Sequence, residues 1–187
     1  IQDIVGSKKY FGGSIDWSSG HLHPLNYALG LADSASKAGV QIFENSLVDQ
    51  IEYGKKTLIK TKLGLVKTTY TILACNGYLG SLNRIVNKKV MPINNFIAST
   101  EVLNDDQKSS ILNKDVAVAD SKFVVNYFRM SKDNRLLFGG GETYGYNFPK
   151  NINAIVSKPM LKIFPQLENV KLEYSWGGTL AITMKRM

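Results

Sequence analysis

Tyr127 and Arg129 stand two residues apart in Asn126-Tyr127-Phe128-Arg129, a run with the texture of a β-strand. Side chains along a strand alternate, so both are expected to leave on the same side. A guanidinium can grip a carboxylate through two parallel hydrogen bonds, and a tyrosine beside it can line a cavity. An ordinary reading also stands, a surface arginine matched to an acid beside a half-buried tyrosine. His21 and His23 with Asp16 offer metal-ligand chemistry. Zinc sites usually take three or four ligands, however, and the chain holds only these two histidines, which favours histidines satisfied in a turn. Cys75, the single cysteine, reads as a small buried filler rather than a nucleophile. Gly139-Gly140-Gly141 lacks the Gly-Lys-Ser/Thr of a phosphate loop and fits close backbone packing at the end of a strand.

These residues need a frame. Pro24 is expected to open a helix at its first position, where its missing N–H costs nothing, and Gly39 to end it. Leu25, Ala28, Leu29, Ala32 and Ala35 give that helix a mostly small apolar face. Val40 to Phe43 then reads as a short buried strand, and Leu47 to Glu52, Thr57 to Thr61 and Leu65 to Thr69 as an antiparallel meander. Gly54 and Gly64 are placed in its turns, where glycine permits positive φ. Tyr70 to Ala74 is expected to be a further buried strand running into the small-residue turn Cys75-Asn76-Gly77. Phe11 to Trp17 reads as extended.

After Pro92 the pattern becomes β-rich: Phe96 to Leu103, Phe123 to Met130, Arg135 to Gly139, Leu172 to Trp176 and Leu180 to Met184. Polar loops are expected around Asn104-Asp105-Asp106 and Lys132-Asp133-Asn134, and one helix from Asn151 to Ile163. The predicted fold is α/β plus α+β, a partial Rossmann-like layer joined to a mostly antiparallel sheet covered by that helix.

Composition narrows the functional classes. Of the residues, 44% are hydrophobic and 20% charged, the balance of an ordinary soluble globular protein. The formal net charge of +8 raises the question of nucleic acid, but the lysines are scattered and form no run or stripe, so no nucleic-acid partner is expected. No apolar run approaches the roughly 20 residues of a membrane span. The lone cysteine excludes an intrachain disulfide and fits a reducing cytoplasm. Ile1 and the structured texture up to Met187 give both ends the look of cuts.

Several motifs occur in an order that carries more than each does alone. Gly20-His21-Leu22-His23-Pro24-Leu25 opening an alanine-rich helix, then Gly39-Val40 and Leu47-Val48, is similar to the central segment of D-amino-acid-oxidase-type (DAO) FAD-dependent amine oxidoreductases. Thr71-Ile72-Leu73-Ala74-Cys75-Asn76-Gly77 resembles a nucleotide-contacting turn of that family, with Cys75-Asn76 where many members carry Ala-Gly. The Asn-Gly-Tyr form resembles the branch of gamma-glutamylputrescine oxidoreductase-like proteins. Met91-Pro92-Ile93, Ala119-Asp120-Ser121, Asn126 to Arg129, Asp133 to Gly141, Phe164-Pro165-Gln166-Leu167 and Trp176-Gly177-Gly178 follow in the order of that branch.

The resemblance implies FAD as cofactor, contacted by Val48, Ala74, Cys75, Asn76, Gly77, Tyr78, Trp176, Gly177 and Gly178. It implies catalytic-pocket roles for Tyr127 and for Arg129, the latter on a substrate carboxylate. Residues 1–20 are then a strand of the substrate domain, 21–89 part of the FAD-binding domain, 90–181 the substrate domain, and 182–187 the start of a return. The implied reaction is oxidation of an amine C–N bond to an imine that hydrolyses to an aldehyde, on a small amine substrate. The family's Gly-x-Gly-x-x-Gly unit is not in this sequence, so the chain alone is expected to hold FAD weakly and to be inactive. The alternatives are a sarcosine-, glycine- or D-amino-acid-oxidase-like specificity, a non-catalytic basic binding module, and a short structural partner.

Overall fold

The computed structural model describes residues 1–184 and is mixed α/β, with two antiparallel-rich sheets in two separate units. One unit is Ile1–His21 with Pro92–Ile182; the other is Leu22–Met91, rejoined at Thr183.

In the second unit, helix α1 spans Pro24–Lys37. Pro24 stands at its start, the His23 Nδ1 accepts from the Asn26 N–H at 3.3 Å, and Gly39 takes φ +89° just past its end. Strands β1 (Val48–Glu52), β2 (Thr57–Thr61) and β3 (Leu65–Thr68) form the expected meander in the order β1-β2-β3. Gly54 and Gly64 do not use positive φ in its turns. The Thr61 hydroxyl instead accepts from the N–H groups of Leu63 and Gly64, closing the second turn with a side chain. Val40 to Phe43 and Tyr70 to Ala74 are not strands. Neither joins a strand ladder among the described residues, and Ile72 is 89% exposed. An apolar run with strand propensity becomes a strand only when a neighbour completes its ladder. A short helix α2, Arg84–Asn87, capped by Asn83, follows.

The first unit holds a five-stranded sheet in the order β5-β6-β7-β4-β8, from β4 (Val90–Thr100), β5 (Val118–Ala119), β6 (Tyr127–Met130), β7 (Leu136–Tyr144) and β8 (Leu172–Thr183). The β5/β6, β6/β7 and β7/β4 pairings are antiparallel. The loop expected at Asn104-Asp105-Asp106 contains helix α3, Asp105–Ser109. Asn104 accepts from the Gln107 N–H and the Gln107 side chain accepts from the Asn104 N–H, a reciprocal cap that nucleates a turn despite the polar sequence. Helix α4, Ile152–Ile163, has the expected extent, with Asn151 capping the Ala154 N–H.

Two glycine-rich stretches expected to end strands run through them instead. Gly139, Gly140 and Gly141 lie inside β7, and β8 is one strand through Gly177 and Gly178 rather than two. Phe11 to Trp17 forms no strand; the early segment joins the unit through a bridge between Val5 and Leu112. Of Phe123 to Met130 only the last four residues pair, because Asp120 closes a loop by accepting from the Lys122 and Asn126 N–H groups. The return expected over 182–187 lies, beyond Met184, outside the described residues.

The core sits between one sheet face and α4. Phe96, Ala98, Phe128, Met130, Leu136 and Phe138 meet Val156, Met160 and Ile163, all buried. Phe128 stacks on Phe138 at 5.7 Å and meets Phe164 edge-on at 5.0 Å. Asn94 is a polar side chain that is fully buried in this unit: it donates to Thr143 Oγ1 at 3.1 Å and to the Asn147 carbonyl at 3.0 Å. Its Oδ1 accepts from the Thr179 hydroxyl at 2.8 Å. A buried amide costs stability unless partnered, and here both ends are engaged.

Candidate functional site

Strand β6 alternates as its sequence demands. Phe128 and Met130 point into the core, so Tyr127 and Arg129 emerge together on the opposite, half-open face. Across the ladder Tyr127 pairs with Gly139 and Arg129 with Leu137. The Tyr127 ring lies over Gly139, where a Cβ would stand 2.0 Å from the ring's Cζ. The glycine is therefore needed by the tyrosine, not by a turn.

The hydroxyl of Tyr127 donates to Asn95 Oδ1. Asn95 reaches it from β4, where Asn95 pairs with Glu142 and Ile97 with Gly139. β4 advances two residues while β7 advances three, so β7 carries a bulge, and Gly141 there takes φ +83°. Burial pushes the Tyr127 phenol above its ordinary pKa, so it is a neutral hydrogen-bonding group and not a base at neutral pH.

Arg129 Nη1 donates to the Met130 carbonyl at 3.4 Å and lies 3.5 Å from His21 Nδ1. On its other side the His21 Nε2 stands 3.3 Å from Asp115 Oδ1. For Arg129 to donate, Nδ1 must be the unprotonated nitrogen, which places the ring proton on Nε2 facing Asp115. His21 and His23 are thus occupied by side-chain and cap hydrogen bonds, and no cluster of metal-ligating residues occurs among the described residues.

A second polar cluster lies near the β5–β6 connection. Asp120, only 4% exposed in its side chain, accepts from the Asn126 backbone at 2.9 Å and its side chain at 2.7 Å, and from the Tyr10 hydroxyl at 3.3 Å. Burial alone would raise its pKa, but the Asn126 and Lys122 contacts outweigh that and hold it below the usual range. Burial first, then the Asp120 charge and hydrogen bond, push Tyr10 far up.

The residues expected to contact a cofactor fall in both units. In the first, Trp176, Gly177 and Gly178 follow one another along β8. Packing alone requires glycine at position 177, because a Cβ would lie 2.7 Å from Phe96 and Phe148 ring atoms and 2.9 Å from the Asn95 carbonyl. Trp176 is 44% exposed. In the second unit Val48 is half-buried on β1, paired with Thr61. Asn76–Tyr78 form a single 3-10 turn after Ala74 and Cys75, with Asn76 at φ +48° and Gly77 buried. Sequence reading passed over Asn95, Gly139 and the Asp115–His21 pair as site-forming groups. The detectable signal was Asn94-Asn95, two adjacent amides between the apolar residues Ile93 and Phe96.

The comparisons with known proteins agree with one another. The family model described as FAD dependent oxidoreductase (DAO) matches residues 1–186. The chain is 42% identical to a probable oxidoreductase, OrdL, of Haemophilus influenzae, covering 98% of this chain and 43% of that protein. It is 39% identical to gamma-glutamylputrescine oxidoreductase of Escherichia coli, covering 100% of this chain and 44% of that protein. The chain thus spans less than half the length of these curated relatives. Glycine oxidase from Geobacillus kaustophilus superposes with TM-score 0.69 at 20% identity, over 86% of this chain and 42% of the other. L-proline dehydrogenase from P. horikoshii does so with TM-score 0.67 at 22% identity, over 86% and 44%. At such identities these two likenesses concern the fold alone.

Proposed function

We propose, from the premise that the chain belongs to the DAO family of FAD-dependent oxidoreductases, that it forms part of an enzyme oxidising the C–N bond of a small amine. The substrate class we assign is a gamma-glutamylputrescine-like amine, and the compartment the cytoplasm. The observation that carries the reading is the placement of Tyr127 and Arg129 on one half-open sheet face, with the Tyr127 ring seated in the space that Gly139 leaves. An amine bearing a distant carboxylate would present to that face an N–H donor and an anion, the two groups a tyrosine oxygen and a guanidinium recognise.

The residues of the second unit fit the cofactor. Ala74, Cys75 and Gly77 are small, and Asn76 turns the backbone through the left-handed region, so main-chain atoms can come close to a flat ring system. In this reading residues 21–89 belong to the FAD-binding domain, 1–20 and 90–181 form the substrate domain, and 182–187 begin the return. Val48, Ala74 to Tyr78, and Trp176 to Gly178 are its cofactor-side residues. FAD, when bound, supplies the acceptor for the hydride leaving the amine-bearing carbon. Arg129 holds the carboxylate and Tyr127 accepts from the amine N–H. The imine so formed hydrolyses to an aldehyde and the freed amine.

The test is anaerobic mixing of the intact, FAD-loaded protein with gamma-glutamylputrescine. Bleaching of the flavin absorbance is expected, with N-methylglycine far less effective. Equal bleaching by N-methylglycine would favour a sarcosine-oxidase-like specificity. No bleaching with any small amine would end the proposal.

A further inference from the structure

Three elements converge on the hydroxyl of Tyr127. Gly139 on β7 leaves room for the ring, the bulge at Gly141 offsets β7 against β4, and Asn95 Oδ1 on β4 accepts from the hydroxyl. Asn95 is itself held from behind, because β8 passes so close that only glycine fits at position 177 beside the Asn95 carbonyl. A phenol has one proton and two lone pairs. Once the proton is committed to the Asn95 amide oxygen, the phenol oxygen can meet a ligand only as an acceptor.

We propose that Asn95 is a positioning and specificity-determining residue of the site: by accepting the Tyr127 hydroxyl's hydrogen bond it makes Tyr127 an obligate acceptor, selecting ligands that offer an N–H donor there. This rests on the reading of Tyr127 as a substrate-facing group. A ligand presenting a carbonyl or ether oxygen at that point would meet lone pairs with lone pairs and be refused. Burial of the phenol works in the same direction, keeping the proton in place.

The test uses the intact FAD-loaded protein titrated anaerobically with gamma-glutamylputrescine and read by flavin absorbance. Asn95→Ala is expected to weaken the apparent affinity about tenfold, the worth of one directed hydrogen bond. Asn95→Asp keeps an oxygen acceptor in place and is expected to stay within about threefold of wild type. Because Asn95 acts through Tyr127, Asn95→Ala adds nothing further in a Tyr127→Phe background. An equal loss with and without the Tyr127 hydroxyl overturns the proposal. If Asn95→Ala does not fold, Asn95→Asp decides alone, and a loss as large as that of Tyr127→Phe overturns it.

Failure of the functional reading is separable. If no amine bleaches the flavin, the pairing is still read from the tyrosinate difference titration between wild type and Tyr127→Phe. Asn95→Ala is expected to move that titration to lower pH and Asn95→Asp to higher pH. An unchanged titration in both removes the pairing itself.

Discussion

The ring of Tyr127 occupies the space in which Gly139, its partner across the β6–β7 ladder, would carry a side chain. An aromatic ring over a strand glycine compensates the glycine's missing packing, and it makes the two positions one unit. Gly139→Ala is therefore expected to destabilise the first unit by about 1–3 kcal/mol, as an overpacked site does. In a Tyr127→Ala background most of that cost is expected to vanish. Urea midpoints of the two single variants and the double variant measure the coupling, and additive losses would contradict the contact.

Gly177 discriminates between a packing and a cofactor role. A methyl group there would press on Phe96 and Phe148. Gly177→Ala is expected to lower stability by about 1–3 kcal/mol even without FAD. A variant with unchanged stability but weakened FAD binding would assign the glycine to the cofactor instead.

Asp120 sets an acid limit for the fold. Its folded pKa is held below the ordinary carboxylate value by Asn126 and Lys122, against burial. Its contribution is therefore full above the unfolded pKa of about 3.9 and lost as pH falls through the lower folded value. Asp120→Ala is expected to cost about 1–3 kcal/mol near neutrality, with the gap to wild type closing below about pH 4. Tyr10 gives the opposite limb, since its pKa is raised: its contribution is complete below about pH 10 and lost as pH climbs beyond that. Stability curves of wild type, Asp120→Ala and Tyr10→Phe against pH check both signs.

Arg129 is the group expected to separate substrates. In the intact enzyme, Arg129→Gln should raise the KM for gamma-glutamylputrescine about 10- to 100-fold, the worth of a charge-assisted hydrogen bond. For putrescine, which has no carboxylate, the change should be within about threefold. Steady-state kinetics on the two amines measure this. Parallel losses on both would place Arg129 in support of the strand rather than on the ligand.

How far the sequence carried depended on where each element finds its partners. Helix α1 was legible because Pro24 and Gly39 each mark an end of the helix through the residues directly beside them. The meander was legible because each strand pairs with its sequence neighbour. Val40 to Phe43 and Tyr70 to Ala74 have strand composition but no ladder neighbour among the described residues, and composition cannot supply one. α3 went unseen because the acidic run around Asp105 hid the reciprocal cap of Asn104 and Gln107. The glycines of β7 and β8 were misread as ends because a strand glycine and a terminal glycine look alike in one dimension. Only the rings of Tyr127, Phe96 and Phe148, brought from elsewhere in the chain, tell them apart. In the candidate site, the alternation of Tyr127 and Arg129 was local and readable. Asn95 is joined to Tyr127 across 32 residues of sequence by a bulge that no short-range pattern announces.

The saturated amide of Asn94 gives the sheet something its apolar residues cannot. A slip of one residue between neighbouring strands is forbidden because it turns every side chain to the wrong face, but a slip of two restores the alternation. Greasy surfaces alone therefore admit several alignments of β8 on β4. Asn94 admits one, since any other strands its oxygen away from Thr179 in a dry interior. It works as a key cut for a single notch. The surrounding apolar residues then need only fill space, while the alignment keeps Gly177 beside Asn95.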